Sequence, residues 1–206
     1  MPSQVASRVS HQISLRSRER KLQLFRELLT PGPETTVVDV GVTDAPFGGG
    51  SADNFFEALY PWPAQITGVG HTELDRFATA FPQVRAVRAD GRELPFADGE
   101  FDLGFSNAVV EHVAGGRAGQ RQFVHELCRV AGRVFVTTPN LFFPLEVHTL
   151  LPFAHWLPAG LRTRAVRARG FDDVLDPLGP KALAALFPYR VRVINTGMTL
   201  IAVGPE

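Results

Sequence analysis

Apolar residues recur along this chain in two rhythms, and their alternation predicts its architecture. From Leu15 to Leu29 the residues Leu22, Leu24, Phe25, Leu28 and Leu29 return at helical spacing among Arg and Glu. Thr30-Pro31-Gly32-Pro33 then stops that helix. Residues 1–14 are polar without a firm period and are expected to extend or fray. Short β-branched runs follow, which predict strands near 36–41, 65–69, 84–88, 101–106 and 133–138. Between them the helical rhythm returns around Phe55, Phe56 and Leu59, over Glu73–Phe81, and over Gln120–Val130. Ser51 and Asp53 are the candidate caps of the first of these. Two short helices are expected at 160–168 and 179–187. The chain closes on strands at 189–195 and 198–203, separated by Thr196-Gly197 as in a hairpin.

Strand–helix alternation through five strands means parallel βαβ units with right-handed crossovers. The expected fold is therefore α/β: a Rossmann-like, seven-stranded mixed sheet with helices on both faces and a C-terminal antiparallel hairpin. Only the last strand is expected to run against its neighbours. The 206 residues suit one domain, with 1–30 as an N-terminal extension and helix and 141–170 as a cover segment.

Composition narrows the function. Lys+Arg and Asp+Glu balance at 21 each, which argues against a nucleic-acid partner bound by bulk phosphate attraction. Charge is uneven locally, since five Arg and one Lys oppose one Glu between Arg8 and Arg26. A solvated basic face is the plain meaning, and an anionic partner the sharper one. Cys128 is the single cysteine, so neither an intrachain disulfide nor a Cys-rich metal site is available, and no Cys/His cluster has metal spacing. No apolar run reaches signal-peptide or membrane-span length, and a cytoplasmic location is expected.

In an open parallel sheet, ligands bind beyond the carboxyl ends of the strands, where the strand order reverses. Three strand ends carry suitable chemistry. The first is Val37-Val38-Asp39-Val40-Gly41, leading into a glycine-rich loop. The second is Asp90-Gly91-Arg92, whose carboxylate suits an exocyclic amine. The third is Ser106-Asn107, with Glu111-His112 just beyond. His112, after the fourth strand, and His148, after the fifth, are the candidate bases for a hydroxyl acceptor, since neutral imidazole titrates near ~6.5.

These motifs, with Glu93-Leu94-Pro95-Phe96 and Thr137-Thr138-Pro139-Asn140, resemble the class I S-adenosylmethionine (SAM)-dependent methyltransferases of the type 11 group over roughly residues 35–140. The resemblance implies SAM as cofactor. It places Asp39 and Gly41 at the methionine end, Asp90 at the adenine amine with Gly91 and Arg92 beside it, and Ser106 and Asn107 along the methionine and reaction centre. Two departures stand out. Six residues, Val42 to Phe47, separate Gly41 from Gly48-Gly49-Gly50, where the family has a compact glycine loop. The second strand ends in Gly70-His71, where the family places the acid that holds the ribose; either Glu73 takes over, or His71 donates instead, or the ribose is held weakly.

The acceptor is expected to be a small molecule or a lipid-linked one. The Pro-broken apolar run 141–158, containing Glu146, His148 and Trp156, would cover the acceptor side. Arg162, Arg164, Arg167 and Arg169 follow it and would suit peripheral contact with an anionic membrane surface. A non-catalytic ligand binder on the same fold is the alternative. A nicotinamide-dependent oxidoreductase is disfavoured because no Gly-x-Gly-x-x-Gly turn follows the first strand.

Overall fold

The computed structural model describes residues 4–47 (side chains from residue 16), 53–144, 157, 160–161, 164 and 176–206. The elements are α1 (Gln4–Leu29), β1 (Val37–Val40), α2 (Phe55–Leu59), β2 (Ile66–Gly70), α3 (Asp75–Ala80), β3 (Arg85–Arg88), β4 (Phe101–Asn107), α4 (Gly116–Val130), β5 (Ala131–Pro139), α5 (Pro180–Ala184), β6 (Arg192–Asn195) and β7 (Thr199–Gly204). A 3-10 turn, Pro63–Gln65, precedes β2, and another, Val110–His112, follows β4.

The seven strands lie in the order β3-β2-β1-β4-β5-β7-β6. Pairings from β3 through β5 are parallel, and β7 runs antiparallel to both β5 and β6. That is the expected mixed sheet with one reversed strand. The order reverses between β1 and β4, so the crevice predicted to bind ligands lies between Val40-Gly41 and Ser106-Asn107.

Side-chain alternation divides the interior into two layers. Val38, Val40, Val134, Val136, Leu200 and Ala202 face α4 and α5. Val37, Leu103, Phe105, Phe135, Ile201 and Val203 face α1, α2 and α3. The period of two is what a sheet covered on both faces requires.

Phe25 of α1 anchors the second layer. It is wholly buried and meets Phe56, Phe105 and Phe135 edge-on, with ring centroids 5.1, 5.5 and 5.6 Å away. Such pairs add to the burial itself because the positive ring edge meets the negative face. Arg133 Nη2, near the start of β5, donates to the Leu28 carbonyl at 3.1 Å. Lys21 Nζ donates to Asn107 Oδ1, at the end of β4, at 2.9 Å. The helix therefore runs antiparallel to the central strands and brings its earlier turns to their carboxyl ends.

Several expectations change. The first helix starts at Gln4 rather than Leu15; nothing between Gln4 and Leu29 is Pro or Gly, so no residue breaks it. α4 starts at Gly116, four residues before the predicted Gln120, after Gly115 takes a left-handed φ of 93°. β6 is shorter than predicted and begins at Arg192. α2 is led by Asn54 in a left-handed conformation rather than capped by Asp53. Ser51, the glycines 48–50, most of the 160–168 helix, and the cover segment's Glu146, His148 and Trp156 lie outside the described residues.

Phe25→Ala should cost about 3–5 kcal/mol, the usual loss for a buried aromatic. Chemical denaturation monitored by circular dichroism would measure it.

Candidate functional site

At the end of β1 the backbone of Gly41 adopts φ 124°. A Cβ there would sit 2.1 Å from Val109 Cγ2, so glycine is required on both counts. The Gly41 and Val42 amides both donate to the Val69 carbonyl, at 2.8 and 3.1 Å. This turns the first loop sideways across the end of β2. Val42 is then buried with Leu74 and Phe77. Asp44 Oδ1 accepts from the Arg76 and Phe77 amides at 2.7 and 2.9 Å, capping α3. Asn54 braces the same loop, accepting from the Thr43 amide and donating to the Thr43 and Ala45 carbonyls.

That path explains the glycine at the end of β2. A Cβ on Gly70 would lie 2.7 Å from the Val42 carbonyl oxygen and 2.9 Å from Leu74 Cδ2. The position at which the family carries its ribose acid is thus closed to any side chain. Glu73, the expected substitute, forms an exposed ion pair with Arg88 of β3.

Beneath the loop, Asp39 of β1 faces Glu57 of α2, and both are buried. Burial, and then the charge of Glu57, push the Asp39 carboxyl well above its ordinary range; burial also raises Glu57. Two carboxylates this close in a low dielectric hold a proton between them more readily than either would in water.

The end of β4 is a polar shelf. Ser106 is wholly buried and its Oγ donates to the Val40 carbonyl at 2.8 Å, tying β4 to β1 at the crevice. Asn107 Oδ1 accepts from Lys21 Nζ and also from Thr137 Oγ1 at 2.8 Å. Glu111 is buried, and its Oε2 accepts from Thr138 Oγ1 at 3.0 Å. His112 follows it, half-buried, on the 3-10 turn. Lys21 is half-buried; its pKa falls to about 8, through burial first and the neighbouring Arg18 next, with Glu111 opposing.

Asp90, beyond β3, is gripped by Arg92, whose backbone amide donates at 2.9 Å and whose guanidinium closes a bidentate pair at 2.6 and 3.0 Å. These bonds hold the Asp90 carboxyl below its usual range. The carboxylate remains half-exposed. Gly91 has no room for a Cβ, which would meet Phe123 at 2.5 Å.

The structure thus gathers Asp39, Gly41, Ser106, Asn107 and His112 around the β1–β4 crevice. It places Asp90, Gly91 and Arg92 at the adjacent end of β3, and it holds Glu73 on Arg88. Four participants were not singled out from sequence: Lys21, Glu57, Asp44 and Asn54. For Lys21 the signal was present. Arg18, Lys21, Phe25 and Leu29 recur at intervals of three or four, so the two cations extend the buried stripe of α1 instead of lying on its solvated face.

An open α/β sheet with one reversed strand beside the last, and a glycine turn at its switch point, defines a class I methyltransferase framework. Residues 43–133 match the family model of a methyltransferase domain. Solved structures agree on the fold. A SAM-dependent methyltransferase of Mesorhizobium loti is 15% identical, with a TM-score of 0.58 over 82% of this chain and 90% of its own. One from Aquifex aeolicus is 14% identical, with a TM-score of 0.54 over 89% and 87%. A Haemonchus contortus phosphoethanolamine N-methyltransferase, in complex with SAM, is 17% identical, with a TM-score of 0.56 over 86% of this chain and 38% of its own. No curated protein matches the chain significantly. The chain thus carries a methyltransferase domain on the fold of the class I SAM-dependent methyltransferases.

Two outcomes follow. Folding raises both carboxyls of the Asp39–Glu57 pair, so the folded state keeps protons that the unfolded chain releases above about pH 4. The pair's contribution to stability therefore declines as pH rises from there. Glu57→Gln should raise Tm by about 2–4 °C at neutral pH, and by less at pH 5, in calorimetric scans. Restoring the family's acid with Gly70→Asp should lower Tm without improving SAM affinity, because the side chain must displace the Val42 carbonyl.

Proposed function

We propose that this protein transfers the methyl group of SAM to a nucleophilic oxygen, nitrogen or carbon of a small-molecule or lipid-linked acceptor. The observation that carries this reading is the convergence of Gly41, Ser106, Asn107 and His112 on one crevice beneath the first loop. The residues suit SAM at two of its three parts. At the methionine end, the Gly41 turn and the Asp39–Glu57 carboxyls supply a close backbone approach and negative charge for an ammonium. At the adenine end, Asp90 offers a half-exposed acceptor for the exocyclic amine. The ribose end lacks the customary acid, which predicts weaker binding there.

When bound, SAM supplies an electrophilic methyl group on its sulfonium. The chain's own tasks are alignment, exclusion of water and, for a hydroxyl acceptor, removal of a proton. His112, on the turn after β4 next to buried Glu111, suits that last task; His148 is the other candidate. The apolar segment 141–158 and the arginines after it suit an acceptor with an apolar or anionic part, including one held at a membrane surface. No helix among the described residues is long and apolar enough to cross a membrane.

A second reading, ligand binding without turnover, is favoured by the Val42 carbonyl lying over the end of β2. Methyl-transfer assays on pooled small-molecule and lipid-sugar acceptors separate the two. Asp90→Ala should weaken SAM binding by about 1–3 kcal/mol in calorimetry; unchanged affinity would remove Asp90 from the site. His112→Gln or His148→Gln, whichever is the base, should bind SAM normally yet lose on the order of 10²–10⁴ in turnover of a hydroxyl acceptor. Wild-type rates in both would leave alignment alone to account for catalysis.

A further inference from the structure

Lys21 stands on α1, 86 residues from Asn107 in sequence, yet their side chains meet at the methyl-donor side of the sheet. Its ammonium is half-buried, and the one partner it has among the described residues is the neutral oxygen of an amide. A desolvated cation without an ion-pair partner is costly, as its lowered pKa records. Two of its three hydrogens remain to be donated. Asn107 is in a like position. Its Oδ1 is saturated by Lys21 and Thr137, while its Nδ2 hydrogens have no acceptor among the described residues. The charges around Lys21 are Arg18, one turn earlier on α1, and Glu111, on the turn after β4. Arg18 in turn faces Asp53, ahead of α2. The result is a cluster of donors at the end of β4, with one positive charge held against a neutral amide.

We propose that Lys21 Nζ and the side-chain amide of Asn107 form a carboxylate-binding site at the carboxyl end of β4. One ammonium and one planar amide match a singly charged planar anion, and Glu111 behind them opposes a second negative charge. The inference rests on the SAM-dependent reading, because the carboxylate belongs either to the methionine tail of the donor or to the acceptor. The site also gives the basic excess of α1 a specific role, in place of a general attraction for anions.

The experiment compares ligands that differ by the carboxylate alone. Calorimetry on the full chain would measure SAM against decarboxylated SAM, and 4-hydroxybenzoate against its methyl ester, for the wild type, Lys21→Gln and Lys21→Arg. If the site holds the donor, the wild type prefers SAM over decarboxylated SAM by ten-fold or more. Lys21→Gln then loses that preference without losing decarboxylated SAM, and Lys21→Arg keeps most of it. If it holds the acceptor, the same pattern appears between hydroxybenzoate and its ester, with SAM affinity unchanged in the variants. The proposal is overturned if the wild type shows no preference for either carboxylate, a result that needs no variant to fold. It is equally overturned if folded Lys21→Gln keeps the wild-type preference. Failure of SAM and decarboxylated SAM alike to bind the wild type would refute the SAM-dependent reading instead. The hydroxybenzoate pair, titrated into the protein alone, would then decide the carboxylate site by itself.

Discussion

Burial of one aromatic ring, Phe25, holds the two halves of the molecule in register. It presses α1 onto β4 and β5 through Phe105 and Phe135, and onto α2 through Phe56. Everything polar at the crevice inherits its position from that packing. Lys21 lies one turn before Phe25 on the same face of α1, so the docking of the ring sets how far the ammonium reaches towards Asn107. α2, pinned by Phe56, places Glu57 under Asp39. An apolar contact thus fixes the geometry of an ionic site, and it does so at low cost because neither the ring nor its neighbours need desolvation of charge.

The second constraint is the lateral path of the first loop. By sending the Gly41 and Val42 amides to Val69, the chain buries Val42 and gains a cap for α3 from Asp44. It gives up space at the end of β2 in exchange. Gly70 is the consequence, and Glu73, the expected substitute, is held in an exposed pair with Arg88. Local packing and ligand geometry compete for the same few ångströms here, and packing prevails.

Much of this was legible in the sequence, and physical reasons separate what was from what was not. The strands read clearly because a sheet covered on both faces demands continuous apolar runs, as in Val37-Val38 and Val134-Phe135-Val136. The closing hairpin read clearly because Thr196-Gly197 interrupts two such runs. The first turns of α1 did not, because a polar helix without Pro or Gly shows no period to detect. Asp90 and Asn107 were visible as polar residues at strand ends. Lys21 was legible only through its spacing with Phe25 and Leu29, whereas Glu57, the one charge on a five-residue helix, was hidden, because only tertiary packing turns it inward. The path of Val42 was equally beyond reach, being decided by one shared carbonyl.

The distance in sequence between α1 and its docking surface bears on how the chain assembles. Leu22, Phe25 and Leu29 are made first, but Phe105 and Phe135 follow only some 80 to 110 residues later. At typical elongation speeds of about 5–20 residues per second, α1 waits on the order of 5–20 s for its partner strands. During that interval its apolar stripe has no sheet to cover it, and the contact that finally forms closes a long loop, a slow step in any folding reaction. Substitutions that make the stripe more apolar would tighten the finished core while lengthening the list of wrong surfaces it can meet beforehand. Arg18 and Lys21, the two cations at the near end of that stripe, would act as gatekeepers against such premature association.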